Sequence, residues 1–247
     1  MTDPLFLAGS VAVPIGGVLT LDGPEGRHAA KVRRIRVGET VLVADGNGRA
    51  VRGVTSRVLP DAIEITVAEA LAETPRPRRF VAVQALAKGG RDELAVETMT
   101  ELGVDEILAW QAARSVASWS GKQAKGLARW AATAREAAKQ CRRFTVPTVG
   151  AVTTDELCRR IGAGHGRSFV LHESAGVFLD AQSLPPTGDV LFVVGPEGGI
   201  APHELDALTA AGATSVRIAD HVLRTSTAGV VALAQLQAMC RFARGQP

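Results

Sequence analysis

Residues 195–199, with the sequence Gly-Pro-Glu-Gly-Gly, form the segment of this chain best suited to bind a ligand. They follow residues 190–194, an apolar stretch typical of a buried strand. Glycine adopts backbone conformations that other residues rarely reach, and it lets a ligand approach the main chain closely. The alternative is a structural turn, but such a turn rarely needs three glycines and a proline. The negative charge of Glu197 would repel a phosphate, so we predict a ligand that carries hydroxyl groups or positive charge.

Arg224 is the second candidate, because its place in the chain conflicts with its charge. It directly precedes the last predicted helix, residues 226–242, for which Thr225 or Ser226 can supply the cap. The helix dipole disfavours a cation at that end of a helix. A residue placed against its local preference is a candidate for function, and the alternative is a solvated surface arginine.

Three basic clusters could contact the phosphates of a nucleic acid. One lies near the amino terminus, one follows the predicted strand at residues 80–85, and one ends the predicted helix at residues 121–139. At the helix end, basic residues also suit the negative end of the dipole, so the third cluster has an explanation without RNA. The members of the clusters are Arg33, Arg34 and Arg36; Lys88 and Arg91; and Arg142 and Arg143.

Several common catalytic motifs are absent from the sequence. No segment matches Gly-x-x-x-x-Gly-Lys-Ser/Thr, Gly-x-Gly-x-x-Gly after a strand, or His-Glu-x-x-His, which argues against the usual nucleotide and zinc-protease sites. Three cysteines without a Cys-x-x-Cys pair indicate neither a metal site nor a disulfide framework. Residues 172–176, His-Glu-Ser-Ala-Gly, resemble a hydrolase nucleophile elbow except at the first position. A serine hydrolase that uses Ser174 therefore stays open as an alternative.

Composition and charge set the broad class of the protein. The chain has 247 residues, of which 46% are hydrophobic and 21% charged, a balance typical of a packed protein. Its apolar runs are shorter than the roughly 20 residues of a membrane helix, and its first residues do not resemble a signal peptide. With no disulfide framework, we expect a cytoplasmic protein. The net charge is +3 and the positive excess falls in residues 76–143, which indicates a polyanionic partner.

Two regions differ in their predicted elements. In the first region, the sequence predicts a helix at 25–34 and strands at 40–44, 50–58 and 62–68, with Asp-Gly and Asn-Gly steps in a tight turn at 45–48. Short strands joined by tight turns predict a small barrel. Residues 74–79, with two prolines in a basic stretch, are the predicted linker.

After the linker, predicted strands alternate with predicted helices, which indicates a parallel α/β sheet. Ligands of such open sheets bind at the carboxyl ends of the strands. The predicted strands are 80–85, 106–110, 168–171, 190–194 and 215–218, and the predicted helices are 92–102, 121–139, 154–161, 202–211 and 226–242.

Together and in this order, these features resemble the ribosomal RNA small subunit methyltransferase E family. The resemblance covers nearly the whole chain. It is carried by residues 28–39 (His-Ala-Ala-Lys-Val-Arg-Arg-Ile-Arg-Val-Gly-Glu), 100–104 (Thr-Glu-Leu-Gly-Val), the helix end 136–143, the loop 195–199 and Leu-Arg-Thr at 223–225.

The resemblance implies an α/β protein with an N-terminal PUA-like β-barrel, residues 1–73, a linker, residues 74–79, and a C-terminal SPOUT α/β domain, residues 80–247. It implies a trefoil knot in the second domain and a homodimer. The implied activity is methylation of N3 of a uridine in 16S rRNA of the small ribosomal subunit, with S-adenosylmethionine as cofactor and without a metal or a membrane. A SPOUT methyltransferase acting on another RNA, such as tRNA, and a non-catalytic RNA-binding ribosome assembly factor are the alternatives.

The resemblance and the chemistry of the reaction indicate the functional residues. Arg224 would stabilise negative charge on the uracil, and the candidates to accept the proton from N3 are Glu197, His172, His221 and water. The three basic clusters would bind RNA. Residue 226 is Ser where the family often has Glu, and residues 4–6 lack the arginine that many members carry there. The cofactor pocket at the knot would be formed by Leu171, His172, Gly195, Pro196, Glu197, Gly198, Gly199, Ile218, Ala219, Val222, Leu223, Arg224, Thr225 and Thr227.

Overall fold

The computed structural model of the protein describes residues 3–164 and 166–242. The chain divides into two compact units. The first unit extends to Pro75 and also includes Arg135–Val146, and the second comprises Arg76–Ala134 and the chain from Pro147 onward. No helix in the described residues is long and apolar enough to cross a membrane.

The first unit contains a five-stranded sheet with the strand order β1-β3-β4-β5-β2. Strand β1 pairs with β3 in parallel, and the other pairs are antiparallel. Between β2 and β3 lies a short helix, α1, that continues into a π-helical turn at His28–Val32. The bounds are β1 Leu5–Leu7, β2 Val18–Leu21, α1 Gly23–Arg27, β3 Thr40–Ala44, β4 Arg49–Leu59 and β5 Ala62–Ala72.

The predicted strands and tight turn of this unit are confirmed. Gly46 and Gly48 have φ angles of +77° and +96°, and the Asp45 side chain accepts hydrogen bonds from the backbone N–H groups of Asn47 and Arg49 at 2.7 and 3.1 Å. The predicted helix at 25–34 is observed two residues earlier, as α1 and the π-helical turn that ends at Val32, and the left-handed φ angle of +53° at Arg34 excludes that residue from it. Strands β1 and β2 were not predicted, since three or four residues are too few to show a period.

Residues 135–146 join the first unit through polar contacts. The ammonium group of Lys139 lies 3.0 Å from a carboxylate oxygen of Glu25, and both side chains are nearly buried. The Glu73 carboxylate accepts hydrogen bonds from the backbone N–H groups of Phe144 and Thr145 and, at 2.7 Å, from the Thr145 hydroxyl. These contacts attach the segment around the basic helix end to the β-rich unit.

The second unit contains a six-stranded sheet, all parallel, with the order β11-β9-β10-β6-β7-β8. The predicted alternation of strands and helices is confirmed, with one additional strand, β8. The bounds are β6 Arg78–Ala85, α2 Arg91–Glu101, β7 Glu106–Trp110, α3 Gln123–Cys141, β8 Thr148–Val152, α4 Thr154–Gly162, β9 Gly166–Leu171, β10 Gly188–Val194, α5 Pro202–Ala210, β11 Thr214–Val216 and α6 Thr225–Phe242.

Helices cover both faces of this sheet. Side chains of a strand alternate between faces, so Phe80 and Ala82 of β6 join one core while Val81 and Val83 join the other. The first core includes residues of α2, α3 and α6, and the second includes residues of α4 and α5. A strand buried on both faces is expected to be continuously apolar, as β6 and β10 largely are.

The predicted helix ends are also observed. Gly103 and Gly212 have φ angles of +93° and +112° just beyond the ends of α2 and α5. Thr153 and Glu156 form a capping box at the start of α4, in which each side chain bonds the other residue's backbone N–H. The last strand is wrongly predicted at its end: β11 stops at Val216, because the backbone N–H of Arg217 donates to the carbonyl of Val177.

Helix α6 follows the edge strand β11 but packs against α2, β10 and β6, so the chain returns from the edge to the middle of the sheet. Its approach is close at Gly229, where a Cβ atom would lie 2.8 Å from Met99 Sδ and 3.3 Å from Val194 Cγ2. The trefoil knot implied by the family resemblance stays a prediction.

An ion-pair network closes the amino ends of the strands. The Arg160 guanidinium of α4 makes two hydrogen bonds of 2.8 Å to the Glu106 carboxylate and one of 3.1 Å to Asp189. Hydrogen bonds from Arg160 outweigh the cost of burial and hold the pKa of Glu106 below its ordinary value, with a smaller contribution from Arg79. Glu106 begins β7 and Asp189 is the second residue of β10, so the network joins the two strands on either side of β6 to α4.

We expect Arg160→Met to lower the free energy of unfolding at pH 7 by about 1.5–3 kcal/mol, the usual range for hydrogen bonds to charged groups. Because the folded-state pKa of Glu106 is depressed, the network stabilises the fold above the ordinary value of 4.5 and is lost as the pH falls through the lower folded-state value. Urea unfolding of both proteins from pH 7 to pH 3 should therefore show the difference shrinking at acid pH. Arg159→Met, at the exposed neighbouring position, is the control, and a pH-independent difference would contradict the assignment.

Candidate functional site

A cavity of about 320 Å³ lies at the carboxyl ends of the strands in the second unit. This size falls within the roughly 300–1,000 Å³ of small-molecule sites. Three chain segments form most of its wall: the end of β9 through Glu173, the loop from Val194 to Ile200, and Val222–Thr225 before α6. Arg91 and Ala228 complete the lining. The fold thus brings together the glycine loop and Arg224, which are distant in sequence.

The glycines of the loop each meet a steric or conformational requirement. A Cβ atom on Gly195 would lie 2.8 Å from Ile200 Cγ1, and one on Gly198 would lie 3.1 Å from the Arg114 carbonyl oxygen. Gly199 has a φ angle of +72°, and its N–H donates to the Pro196 carbonyl at 2.9 Å. Side chains would therefore displace the loop from its turn or force its neighbours apart.

A buried hydrogen-bond relay joins this loop to β6 and α6. The Thr225 hydroxyl donates to the Gly195 carbonyl at 2.8 Å and accepts from the Gln84 side-chain amide at 2.9 Å. Gln84 also donates to the Ala85 carbonyl at 3.1 Å, and its side chain is fully buried. We call these three residues, Gln84, Thr225 and Gly195, the buried relay. Sequence reasoning missed Gln84, although it is the one polar residue in the apolar stretch 80–85.

Glu197 points its carboxylate at the start of α2. Oε1 accepts hydrogen bonds from the Lys88 backbone N–H and the Arg91 guanidinium, both at 3.2 Å. Burial raises the pKa of Glu197, but hydrogen bonds from its own backbone N–H, from Lys88 and from Arg91 outweigh it and lower the pKa below the ordinary value. A carboxylate held in this way is a weak proton acceptor and a stable negative charge.

Arg224 immediately precedes α6, and its side chain lies at the cavity. Its carbonyl accepts hydrogen bonds from the backbone N–H groups of Thr227 and Ala228 at 2.8 and 2.9 Å. Its side chain lines the cavity and is exposed, and it makes neither a hydrogen bond nor an ion pair within residues 3–164 and 166–242. A guanidinium group without a partner at a cavity is available to a ligand.

His172 and Ser174 do not form a nucleophile–base pair. His172 Nδ1 accepts a hydrogen bond of 3.2 Å from the backbone N–H of Ser174, not from its hydroxyl. The backbone N–H of His172 donates to the Val216 carbonyl. The geometry that a serine hydrolase requires is therefore missing at this position.

Not every predicted pocket residue lines the main cavity. Ile218 and Ala219 line a smaller recess of about 70 Å³ with Leu171, His172 and Val222. Gly198 and Thr227 are in neither lining. Thr227 lies in the first turn of α6, where its backbone N–H donates to the Arg224 carbonyl. Lining residues that the sequence analysis did not name are direct neighbours of the named segments, and they are Glu173, Val194, Ile200 and Ala228.

The predicted RNA-binding residues have different surroundings. In the first unit, the cluster at 33, 34 and 36 is exposed, Arg142 is exposed with a φ angle of +59°, and Arg143 is half-buried and has a partner. In the second unit, Lys88 is exposed and Arg91 is paired with Glu197 at 3.2 Å. Among the residues that the structure describes, no group of three or more His, Cys, Asp or Glu side chains could hold a metal ion.

Comparison with known proteins gives the class of protein that this fold and this site define. The profile described as "RNA methyltransferase domain" matches residues 74–237, and the profile "RNA methyltransferase PUA domain" matches residues 21–59. The chain therefore combines an RNA methyltransferase domain with a PUA domain.

Sequence relatives give the particular family. The chain is 47% identical over 223 residues to the Mycobacterium tuberculosis ribosomal RNA small subunit methyltransferase E, covering 88% of this chain and 85% of that protein. It is 29% identical over 235 residues to the Bacillus subtilis protein of the same name, covering 92% of each. The chain belongs to the ribosomal RNA small subunit methyltransferase E family.

Two solved structures with S-adenosylmethionine have the same fold. The Neisseria gonorrhoeae ribosomal RNA small subunit methyltransferase E bound to S-adenosylmethionine has a TM-score of 0.86 at 25% identity, covering 96% of this chain and 98% of that one. A putative Legionella pneumophila methyltransferase in complex with the same cofactor has a TM-score of 0.85 at 27% identity, with the same coverage.

Proposed function

We propose that this protein transfers the methyl group of S-adenosylmethionine to N3 of a uridine in the 16S rRNA of the small ribosomal subunit. The observation that carries the proposal is the cavity lined by both the glycine loop and Arg224, whose guanidinium has no partner among the described residues. Family membership supports the reaction class, and the two cofactor-bound relatives support S-adenosylmethionine. When bound, this cofactor supplies a methyl group already activated by its sulfonium charge.

The cavity fits this cofactor by shape and charge. Its carboxylates, from Glu173 and Glu197, complement a positive charge, and its apolar surface can pack against a flat ring. Gly195 and Gly199 line the cavity without side chains, so a ligand can approach the main chain of the loop closely. The apolar wall consists of Leu171, Val194, Ile200 and Leu223.

Arg224 has the role of stabilising the reacting base. Loss of the proton from uridine N3 to water spreads negative charge over the two neighbouring carbonyl oxygens. Because the Arg224 guanidinium makes no hydrogen bond or ion pair among the described residues, it can donate to those oxygens as the charge develops. Its attachment to the first turn of α6 fixes it beside the cavity.

Glu197 is assigned a binding role rather than the role of base. Its carboxylate already accepts two hydrogen bonds from the start of α2, and its pKa is lowered. Proton removal by this group would require breaking those contacts. Its charge instead favours a cationic ligand in the cavity and keeps Arg91 in place.

The partners follow from the same proposal. The basic clusters at 33–36, 88–91 and 142–143 would bind phosphates of the RNA, and residues up to 73 would serve as the PUA-like RNA-binding domain before the 74–79 linker. We further propose a cytoplasmic homodimer. None of the three cysteines forms a disulfide in the described structure, which is compatible with a reducing compartment.

The activity itself is tested by transfer of radiolabel from S-adenosylmethionine to unmodified small ribosomal subunits, with free 16S rRNA and tRNA in parallel. We expect label in the subunit RNA, mapped to N3 of one uridine by nuclease digestion and mass spectrometry. Gly195→Val is the inactive control, because its side chain would collide with Ile200.

Comparison of label in the small subunit, free 16S rRNA and tRNA distinguishes the proposed function from its alternatives. Label in tRNA alone would keep the methyltransferase reaction and overturn the substrate. No label in any RNA, with an active reference enzyme, would overturn the catalytic proposal in favour of a non-catalytic RNA-binding protein.

Arg224→Ala should lower the single-turnover rate at saturating cofactor by about 10²–10³, the usual loss for one donor to a developing oxyanion. The dissociation constant for S-adenosylmethionine should change far less, because the role of Arg224 is in the transition state. Arg224→Lys keeps the charge but not the planar fork, so we expect an intermediate rate. An Arg224→Ala rate equal to that of the wild type would refute this role.

A further inference from the structure

A second cavity, of about 240 Å³, lies at the opposite end of the sheet, beside the first residue of β6. It is far along the strand from the glycine loop, which follows the carboxyl end of β10. We propose that this cavity binds a phosphate group of the RNA substrate. This inference rests on the proposed function, because it takes RNA as the source of the phosphate.

Two sequence periods bring the basic side chains to this cavity. Residues 76, 78 and 80 alternate along extended chain, so Arg76, Arg78 and Phe80 point to one side. Residues 240 and 241 follow residue 237 by three and four positions on α6, about one helical turn, so Cys240 and Arg241 both lie beside Gln237 on the helix surface. The two sets converge to form the lining, and the first set includes part of the basic stretch between the two predicted domains.

Of the three arginines at this cavity, Arg78 and Arg241 have no carboxylate partner among the described residues. Arg76 is neutralised by Asp105, and its guanidinium also donates to the Gly103 carbonyl at 2.9 Å. Arg78 is half-buried, yet its one partner among the described residues is the uncharged carbonyl of Pro185. Arg241 is exposed and makes no ion pair within the same part of the chain.

A half-buried guanidinium without a counterion keeps a desolvation cost that an anion would offset. Phosphate is the anion that fits, because arginine donates two parallel N–H groups to its oxygens. Arg76, held by its hydrogen bonds and stacked over the Phe80 ring at 5.9 Å, fixes one wall of the cavity. Arg78 and Arg241 are then the two groups with donors left for the ligand.

The first test uses salt dependence of binding to small-subunit RNA, measured by fluorescence anisotropy. Arg241→Gln should weaken binding and reduce the slope of log K against log salt concentration by about 0.7–0.9, the change for one lost phosphate contact. Arg78→Gln should do the same. Arg159→Gln removes the same charge from an exposed position on α4 and should leave the slope unchanged. Equal slopes for Arg241→Gln and Arg159→Gln would overturn the proposal.

The second test measures the alkylation rate of the Cys240 thiol, which lines the cavity, in the wild-type protein. Alkylation is followed at each cysteine by peptide mass spectrometry, so Cys158, which lies on α4 outside the proposed RNA-binding clusters, is the internal reference. We expect small-subunit RNA to slow alkylation of Cys240 severalfold, and more than inorganic phosphate at the same phosphate concentration. Protection by inorganic phosphate alone would identify a free-anion site and overturn the RNA assignment.

These outcomes separate the inference from the proposed function. Methyl transfer by a wild-type protein whose Cys240 reacts equally fast with and without RNA would overturn the inference alone. A wild-type protein that binds no small-subunit RNA would overturn both.

Discussion

The buried relay of Gln84, Thr225 and Gly195 is the interaction on which the site depends. It joins the middle of the sheet, the glycine loop and the first turn of α6 through two hydrogen bonds of 2.8 and 2.9 Å. Gln84 is fully buried and Thr225 nearly so, and loss of their hydrogen bond would leave the Gln84 amide with one partner fewer in the interior. The next residue before Thr225 is Arg224, and therefore the relay also sets the position of the guanidinium assigned to the chemistry.

The two ends of the parallel sheet differ in their polar contacts. At the amino ends of the strands, Arg160, Glu106 and Asp189 form a closed network in which donors and acceptors satisfy each other. At the carboxyl ends, the glycine loop lets a ligand approach its main chain, and Arg224 has no partner in the described chain. The ion-pair network stabilises the fold, whereas the cavity at the carboxyl ends provides contacts for the cofactor, the usual location in open α/β sheets.

The sequence predicted most of the fold and the segments of the site, for identifiable reasons. Local sequence signals are strong for strands such as 40–44 and 106–110 and for the helix ends at Thr153, Gly103 and Gly212. The glycine loop is recognisable from its composition alone. Strands β1, β2 and β8 were missed because they are short or contain glycine. The role of Gln84 could not be predicted, since its partner is 141 residues away in sequence. Ile218 and Ala219 were assigned to the pocket by the family resemblance, and in the structure they line the smaller recess.

The most direct measurement is the affinity for S-adenosylmethionine, by isothermal titration calorimetry, of wild type, Gln84→Leu and Thr225→Ser. Gln84 is not in the lining of the cavity, so it can affect binding only by positioning Thr225 and the loop. We expect Thr225→Ser, which keeps the hydroxyl, to bind nearly as well as wild type. We expect Gln84→Leu to fold but to bind at least about tenfold more weakly, as for the loss of one buried hydrogen bond. A folded Gln84→Leu protein with wild-type affinity would contradict the account.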